Sequence, residues 1–286
     1  NGFKLTITPF KKDGGKLVSP DGFTPDLIIS NNDFSNAYET WAEHLTTPIN
    51  PPRELGWHRR KKSDHFQFYN QLAKELSDVI QVDPWILTVQ TELVKEFDIN
   101  DMDSRKLVAA RADAMLEQIR KEYEKRNIKD RPTIFMKNNA GTYGLGVMRV
   151  QSGDEILSLN SKARGKMNAA KGGRDVTEVI LQEGVPTVVT TDGIVAEPVI
   201  YIVGCDLVGG FFRTHTEKGP DDSLNSPGAV YKKMCVSDLR VDQGGCPTEN
   251  VYGWAARLSS MAIGYEIQKE GLKISTNPDY KGCGCT

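Results

Sequence analysis

The sequence predicts a mixed α/β (α+β) protein built around antiparallel sheets, with an amino-terminal α/β lobe. Three observations carry that expectation. Long apolar stripes at helical spacing occur at 63–80, 104–123 and 251–265. Short runs rich in β-branched residues cluster at 178–214, separated by glycine-bearing turns. A strand-like run, Ile134–Lys137, leads directly into a loop containing Gly141, Gly144 and Gly146. At 286 residues and 38% hydrophobic content, the chain can bury a substantial core and divide into lobes.

Along the chain, the first fifty residues are rich in Gly, Pro, Asn and Asp. Within them Pro25-Asp26-Leu27-Ile28-Ile29-Ser30 is a short apolar run ending in Asn31-Asn32-Asp33, read as a strand and its carboxyl-end loop, where polar ligands often sit in α/β folds. From Ser63, a candidate N-cap, the residues Phe66, Tyr69, Leu72, Ala73, Leu76, Val79 and Ile80 share one helical face. From Ser104, Val108, Ala112, Met115, Leu116, Ile119 and Tyr123 do the same, with Arg111, Glu117, Lys121 and Glu124 opposite. The mixed signs of Arg120 to Arg126 suit a solvated face, and Pro132 ends the helical pattern. Ile156, Leu157 and Leu159 open a helix continuing towards Lys166, and Val251, Trp254, Ala255, Leu258, Met261, Ala262 and Tyr265 suggest a late one. Strands are expected at 178–182, 194–203 and 206–214. The expected division is an amino-terminal lobe at 1–103 and nucleotide-binding lobes at 104–286, including a lid at about 133–180 and the carboxyl-terminal helix.

Bulk charge narrows the function. A formal charge of −2 and a pI near 6.2 give no overall case for nucleic acid. No apolar run approaches the ~20 residues that cross a bilayer, so the chain reads as soluble. Five cysteines, an odd number without a C-x-x-C pair, argue against a secreted disulfide framework or a zinc ribbon, and cytoplasmic thiols are the default. Cys283-Gly-Cys285 reads as an ordinary tail or a metal or redox pair. The chain opens Asn1-Gly2-Phe3, and an upstream part of the native protein is expected to be missing.

Chemistry concentrates at Lys137-Asn138-Asn139-Ala140-Gly141-Thr142-Tyr143-Gly144-Leu145-Gly146. Glycines let backbone amides approach an anionic oxygen, and a strand-borne ammonium adds a point charge. Neither G-x-G-x-x-G nor G-x-x-x-x-G-K-[ST] is present here, which removes the dinucleotide-fold and P-loop readings. A lysine before a glycine loop followed by another strand is similar to an ATP-grasp nucleotide lid; a β-hairpin turn has the same letters. A second segment, Val179–Val185, passes from an apolar strand into a polar hinge, as a purine site or an ordinary strand end would. Third, Glu197 and Asn225 offer hard oxygen ligands for magnesium, and Arg213 a cation for a transferred phosphoryl group, although a lone strand carboxylate is as often paired structurally. Finally, Gly56–Phe66 crowds basic donors and two imidazoles before a helix, a grip for a substrate carboxylate or a solvated basic turn.

Taken in order, these segments resemble the proteobacterial ATP-grasp type of glutamate–cysteine ligase. The match runs through 25–33, 56–66, Asp83-Pro84-Trp85, 137–148, 182–185, 196–201, 209–213 and 224–228. The resemblance implies an ATP- and Mg2+-dependent enzyme of glutathione biosynthesis that phosphorylates the side-chain carboxylate of glutamate and lets the cysteine amine attack the acyl phosphate. It further implies that Lys137, Gly141, Thr142, Tyr143, Gly144 and Gly146 hold ATP phosphates, and that Gln182, Glu183 and Val185 bind adenine. Arg213 and Lys137 would be catalytic, Glu197 and Asn225 would serve the metal, and Asn32, His58, Arg59 and Arg60 would serve the amino-acid substrate. The partners implied are small molecules, with neither nucleic acid nor membrane. Another ATP-grasp carboxylate–amine ligase, or a nucleotide-binding regulator without catalysis, remains open. Asn138 and Asn139 depart from the family lid, Lys-Ala-Asp-Ala-Gly, and remove a carboxylate from beside the phosphates. The family is also longer at its amino end.

Overall fold

The computed structural model describes residues 4, 7–30, 32, 34, 40–140, 146–168, 176–203, 206–243 and 246–272. Backbone contacts divide the chain into two compact units, Asn1–Arg60 and Lys61–Thr286.

In the first unit, β1 (Lys11–Asp13) and β2 (Lys16–Val18) form an antiparallel hairpin across Gly14-Gly15. Gly14 has φ +56°, the left-handed geometry that a two-residue hairpin turn demands. The apolar run at 25–30 contributes β3 (Ile28–Ile29), which pairs in parallel with β4 (Ile49–Asn50). Buried Phe34 stacks on Trp41 with ring centroids 5.9 Å apart and anchors the loop that follows β3.

The second unit holds the remaining elements. Helix α1 (Lys62–Ile80) leads to β5 (Thr91–Lys95), α2 (Met102–Lys125), β6 (Ile134–Asn138), β7 (Val147–Val150), the short α3 (Gly153–Leu157) and α4 (Ser161–Met167), and β8 (Glu178–Glu183). Then come β9 (Thr190–Thr191), β10 (Ile194–Val203), β11 (Asp206–Thr214), β12 (Val230–Met234), the hairpin β13 (Arg240–Gln243) and β14 (Cys246–Glu249), and α5 (Val251–Lys269). One four-stranded sheet has the order β5-β8-β6-β7 and the other β12-β11-β10-β9; both are antiparallel. This is the expected mixed α/β architecture with antiparallel sheets. Residues 61–103, expected with the amino-terminal lobe, pack within the second unit, because β5 is hydrogen-bonded along its length to β8.

Packing follows the periodicities. The α2 stripe buries Val108, Ala112, Met115, Leu116, Ile119 and Tyr123 against Val94, Ile134, Met136, Val150, Val179 and Leu181 of the first sheet. Each fully buried aliphatic side chain there contributes ~1.5–3 kcal/mol. Asp101 caps α2: its carboxylate accepts from the Ser104 N–H at 2.7 Å. A second, smaller core joins Tyr69, Leu72, Ala73 and Leu87 to Leu258 and Ala262, so α1 packs on α5.

Two helix expectations are corrected. Ser63 lies inside α1, whose N-cap is Lys61 without a side-chain cap. The expected helix from Ile156 to Lys166 is two helices, because the Asn160 carboxamide accepts from the Ala163 N–H at 2.9 Å and starts a new one.

Candidate functional site

Strand β6 alternates. Ile134 and Met136 enter the α2 core, which sends Phe135 and Lys137 to the opposite face. Register places Phe135 beside Gln182 and Lys137 beside Ile180, with Thr91 opposite Gln182 on the far side of β8. The Lys137 ammonium donates to Gln182 Oε1 at 2.6 Å and lies 5.2 Å from the Phe135 ring centroid. Gln182 Nε2 in turn donates to Thr91 Oγ1 at 3.1 Å. Burial lowers the Lys137 pKa to about 8, and the opposing pull of the Glu197 carboxylate does not restore it.

The described residues of this segment form a β-hairpin. β6 pairs with β7, and the Asn138 N–H donates to the Gly146 carbonyl at 3.0 Å where Gly146 takes φ +62°. The residues between, including Gly141, Thr142, Tyr143 and Gly144, lie outside the described residues.

Asn139 has a different task. Its carbonyl accepts from the Lys62 N–H at 2.8 Å and its Oδ1 from the Ser63 N–H at 2.9 Å, so it caps α1 from the residue just after β6. Its Nδ2 donates to Ser63 Oγ at 3.0 Å and to Glu178 Oε2 at 2.9 Å. Lys61 holds the same carboxylate at 2.7 Å, and that hydrogen bond is the main reason the Glu178 pKa lies below the usual carboxylate range.

The hinge at the end of β8 splits its side chains. Gln182 faces Lys137; Glu183, one residue on, points to the α2 side, where Gln90 N donates to its Oε2 at 3.3 Å and burial raises its pKa. Gly184 donates to Thr133 O at 2.8 Å, and a Cβ there would sit 3.0 Å from that carbonyl. Val185 is 68% exposed. The three residues expected at adenine therefore present one buried amide, one buried carboxyl on the other face, and one exposed apolar side chain.

In the second sheet, Glu197, Arg213 and Tyr231 stand in one row across β10, β11 and β12. Arg213 Nη1 donates to Glu197 Oε2 at 3.2 Å, while Arg213 Nε is buried without a hydrogen-bond partner among the described residues. Ser226 Oγ is the second such atom here, and neighbouring Asn225 is partly buried. Their loop is strapped by His215, which accepts from Glu217 N at Nδ1, 3.2 Å, and donates from Nε2 to Pro227 O at 3.0 Å, and by fully buried Leu224. Buried donors left unsatisfied are costly, so an arginine Nε in that state fits an oxygen-rich anion. Among the described residues no group of three or more His, Cys, Asp or Glu side chains could hold a metal ion.

The first unit brings Asn32 and His58 together around one residue. Asn32 Oδ1 accepts from Phe34 N at 2.8 Å, and the His58 ring nitrogen Nδ1 lies 2.9 Å from Phe34 O. A Cβ on Gly56 would come within 2.4 Å of Phe34 Cβ, so only glycine lets this turn close. Arg60 lies over Trp57, 5.5 Å from its centroid, and Arg59 follows the same turn through its N–H to Gly56 O. Thr91, Ser226 and His215 were not among the expected site residues; no local signal marks Thr91, whose partner lies 91 residues away.

The chain is similar to known proteins in sequence and fold. The glutamate-cysteine ligase family model matches residues 1–267. A crystal structure from Methylobacillus flagellatus KT, of a protein named “Putative gamma-glutamylcysteine synthetase”, is 32% identical with a TM-score of 0.81. The likeness covers 94% of this chain and 65% of that one, so the chain spans about two thirds of that relative's length. D-alanyl-alanine synthetase A from Vibrio cholerae O1 matches with a TM-score of 0.40 and 11% identity, over 91% of this chain and 66% of that one. No curated protein matches. From the family match across nearly its whole described length, the chain belongs to the glutamate-cysteine ligase family.

Proposed function

We propose that this chain catalyses ATP-dependent ligation of the glutamate γ-carboxylate to the cysteine amine through an acyl phosphate, as a cytoplasmic enzyme of glutathione biosynthesis. The single observation that carries the reading is the pair of cationic groups in the second unit: a partly buried Lys137 ammonium within the electrostatic reach of Glu197, and Arg213, whose buried Nε has no partner among the described residues. In a water-poor site such fixed donors stabilise negative charge far more than in bulk water. Lys137 and the 141–146 loop would hold the phosphates, Arg213 would face the phosphoryl group in transfer, and the 182–185 hinge would seat adenine. Magnesium keeps several waters and takes one or two carboxylates plus phosphate oxygens, so Glu197 and Asn225 fit as its protein donors without a full protein cage. The ion would neutralise polyphosphate charge. Asn32, His58, Arg59 and Arg60 are proposed as the amino-acid grip of the first unit, and residues at about 133–180 as the lid that excludes water from the acyl phosphate.

ADP release by the full chain tests this. It should require glutamate and cysteine together, and Lys137→Ala should abolish it while circular dichroism stays native. ADP release stimulated by another acid–amine pair would reassign the substrates; nucleotide binding without ADP formation under any pair would favour a regulator. Unchanged turnover in Lys137→Ala would remove the lysine from the mechanism.

A further inference from the structure

An ammonium group can only donate hydrogen bonds, so the atom facing Lys137 Nζ at 2.6 Å must be the carboxamide oxygen of Gln182. That assignment sends the Gln182 NH2 group to Thr91 Oγ1 at 3.1 Å, where it must find an acceptor. It does, because the Thr91 hydroxyl spends its own proton on Val89 O at 3.2 Å. Each link thus has one permitted direction. The chain of bonds crosses three strands, β6, β8 and β5, and Gln182 lies in the central one, 4% exposed.

Resting on the ligase reading above, we propose that Gln182 is a positioning residue: its carboxamide, braced by Thr91, holds the Lys137 ammonium on the sheet face that meets the phosphates. An amide does this better than a carboxylate, since it orients the cation without cancelling the charge that a polyphosphate needs. The Gln182 side chain then does not read the adenine edge, and purine recognition falls to the hinge beyond it. Among the described residues, the groups beside Lys137 are Ile180 and Gln182 from β8, Phe135 from its own strand and Val147 as its β7 register partner, and it feels the charge of the β10 Glu197 carboxylate, itself paired with Arg213 of β11.

The test compares Gln182→Met, Thr91→Val and Thr91→Ser in the full chain, by calorimetry with ATP and with adenosine and by NMR titration of Lys137 Nζ. Loss of one charge-assisted hydrogen bond should weaken ATP in Gln182→Met about tenfold or more and leave adenosine unchanged. Thr91→Val should show the same pattern more weakly, and Thr91→Ser, which keeps the hydroxyl, should restore wild-type behaviour. The Lys137 titration midpoint should fall in Gln182→Met, because the charged form loses its acceptor. Equal weakening of ATP and adenosine would return Gln182 to purine binding and overturn the proposal. So would an unmoved Lys137 midpoint, a readout that holds even if the wild-type chain binds no nucleotide and the ligase reading itself fails.

Discussion

Two polar clusters, one beside each four-stranded sheet of the second unit, are finished to different degrees. Around Asn139 every group is used: the carboxamide oxygen caps α1, its NH2 group bridges Ser63 and Glu178, and Lys61 completes the carboxylate. At Arg213, among the described residues, the ion pair with Glu197 leaves Nε buried without an acceptor. A saturated buried network rigidifies a fold; an unsaturated one leaves a donor that a ligand can meet, although Arg105 Nε beside the α2 core is in the same state. The contrast supports a structural task for Asn139 and, on the proposed reading, a chemical one for Arg213, though the sequence offers both as polar residues near the same motifs.

The largest expected effect falls on the unsaturated cluster. Arg213→Met should lower ligase turnover by about 10²–10³-fold, the usual consequence of deleting one preorganised donor. Its melting temperature should move little, because the buried orphan leaves with the side chain. Steady-state ADP release alongside a thermal melt checks both; a large loss of stability with turnover intact would reverse the contrast.

The saturated cluster should respond the other way. Asn139→Ala strands the Ser63 N–H and removes one donor from Glu178, an expected loss of about 2–4 kcal/mol in chemical denaturation. Asn139→Asp sharpens this, because it restores the family's letter and sets a second carboxylate where the Nδ2 group stood, 2.9 Å from Glu178 Oε2. In the wild type, the Glu178 pKa is depressed, chiefly by Lys61, so its contribution is present above the unfolded carboxylate pKa and lost as pH falls through the folded value. In Asn139→Asp the like charges repel while both are ionised. Its deficit relative to wild type should therefore be greatest near neutrality and shrink on acidification; a deficit independent of pH would point to packing alone.

Much of the scaffold was legible because it is periodic. The apolar stripe of α2 is its buried face, and the expected strands at 194–203 and 206–214 match β10 and β11 residue for residue. Lys137 and Arg213 were legible too, as cations on strands. What escaped depends on contacts between residues far apart: Asn139 caps a helix that begins 77 residues earlier, and Thr91 braces a glutamine across 91. Ser63 misled because a serine before an apolar stripe suggests an N-cap, whereas the orphan N–H groups of α1 are met by the residue just after β6. Glu183 shows the same limit, since adjacency in a strand sends neighbours to opposite faces. The glycine loop at 141–145 and the Cys283-Gly-Cys285 tail lie outside the described residues.

Lys137 supplies the smallest and most diagnostic test of the contrast, for on the proposed reading it serves the site rather than the framework. Its pKa falls from 10.5 to about 8 because folding removes water from the ammonium. Between those values the unfolded chain binds the proton more tightly than the folded one, so wild-type stability rises as pH rises from about 8 to 10.5. Below that window the charged lysine is a net cost to the fold, although its bond to Gln182 and the field of Glu197 offset part of it. Lys137→Met should accordingly be more stable than wild type near neutrality by about 1–2 kcal/mol while losing ligation, and the gain should close as the pH is raised through the window. Denaturant melts of both proteins across that range decide it. A variant less stable than wild type at neutral pH would mean that the ammonium holds the sheet together, and Lys137 would then side with Asn139 rather than with Arg213.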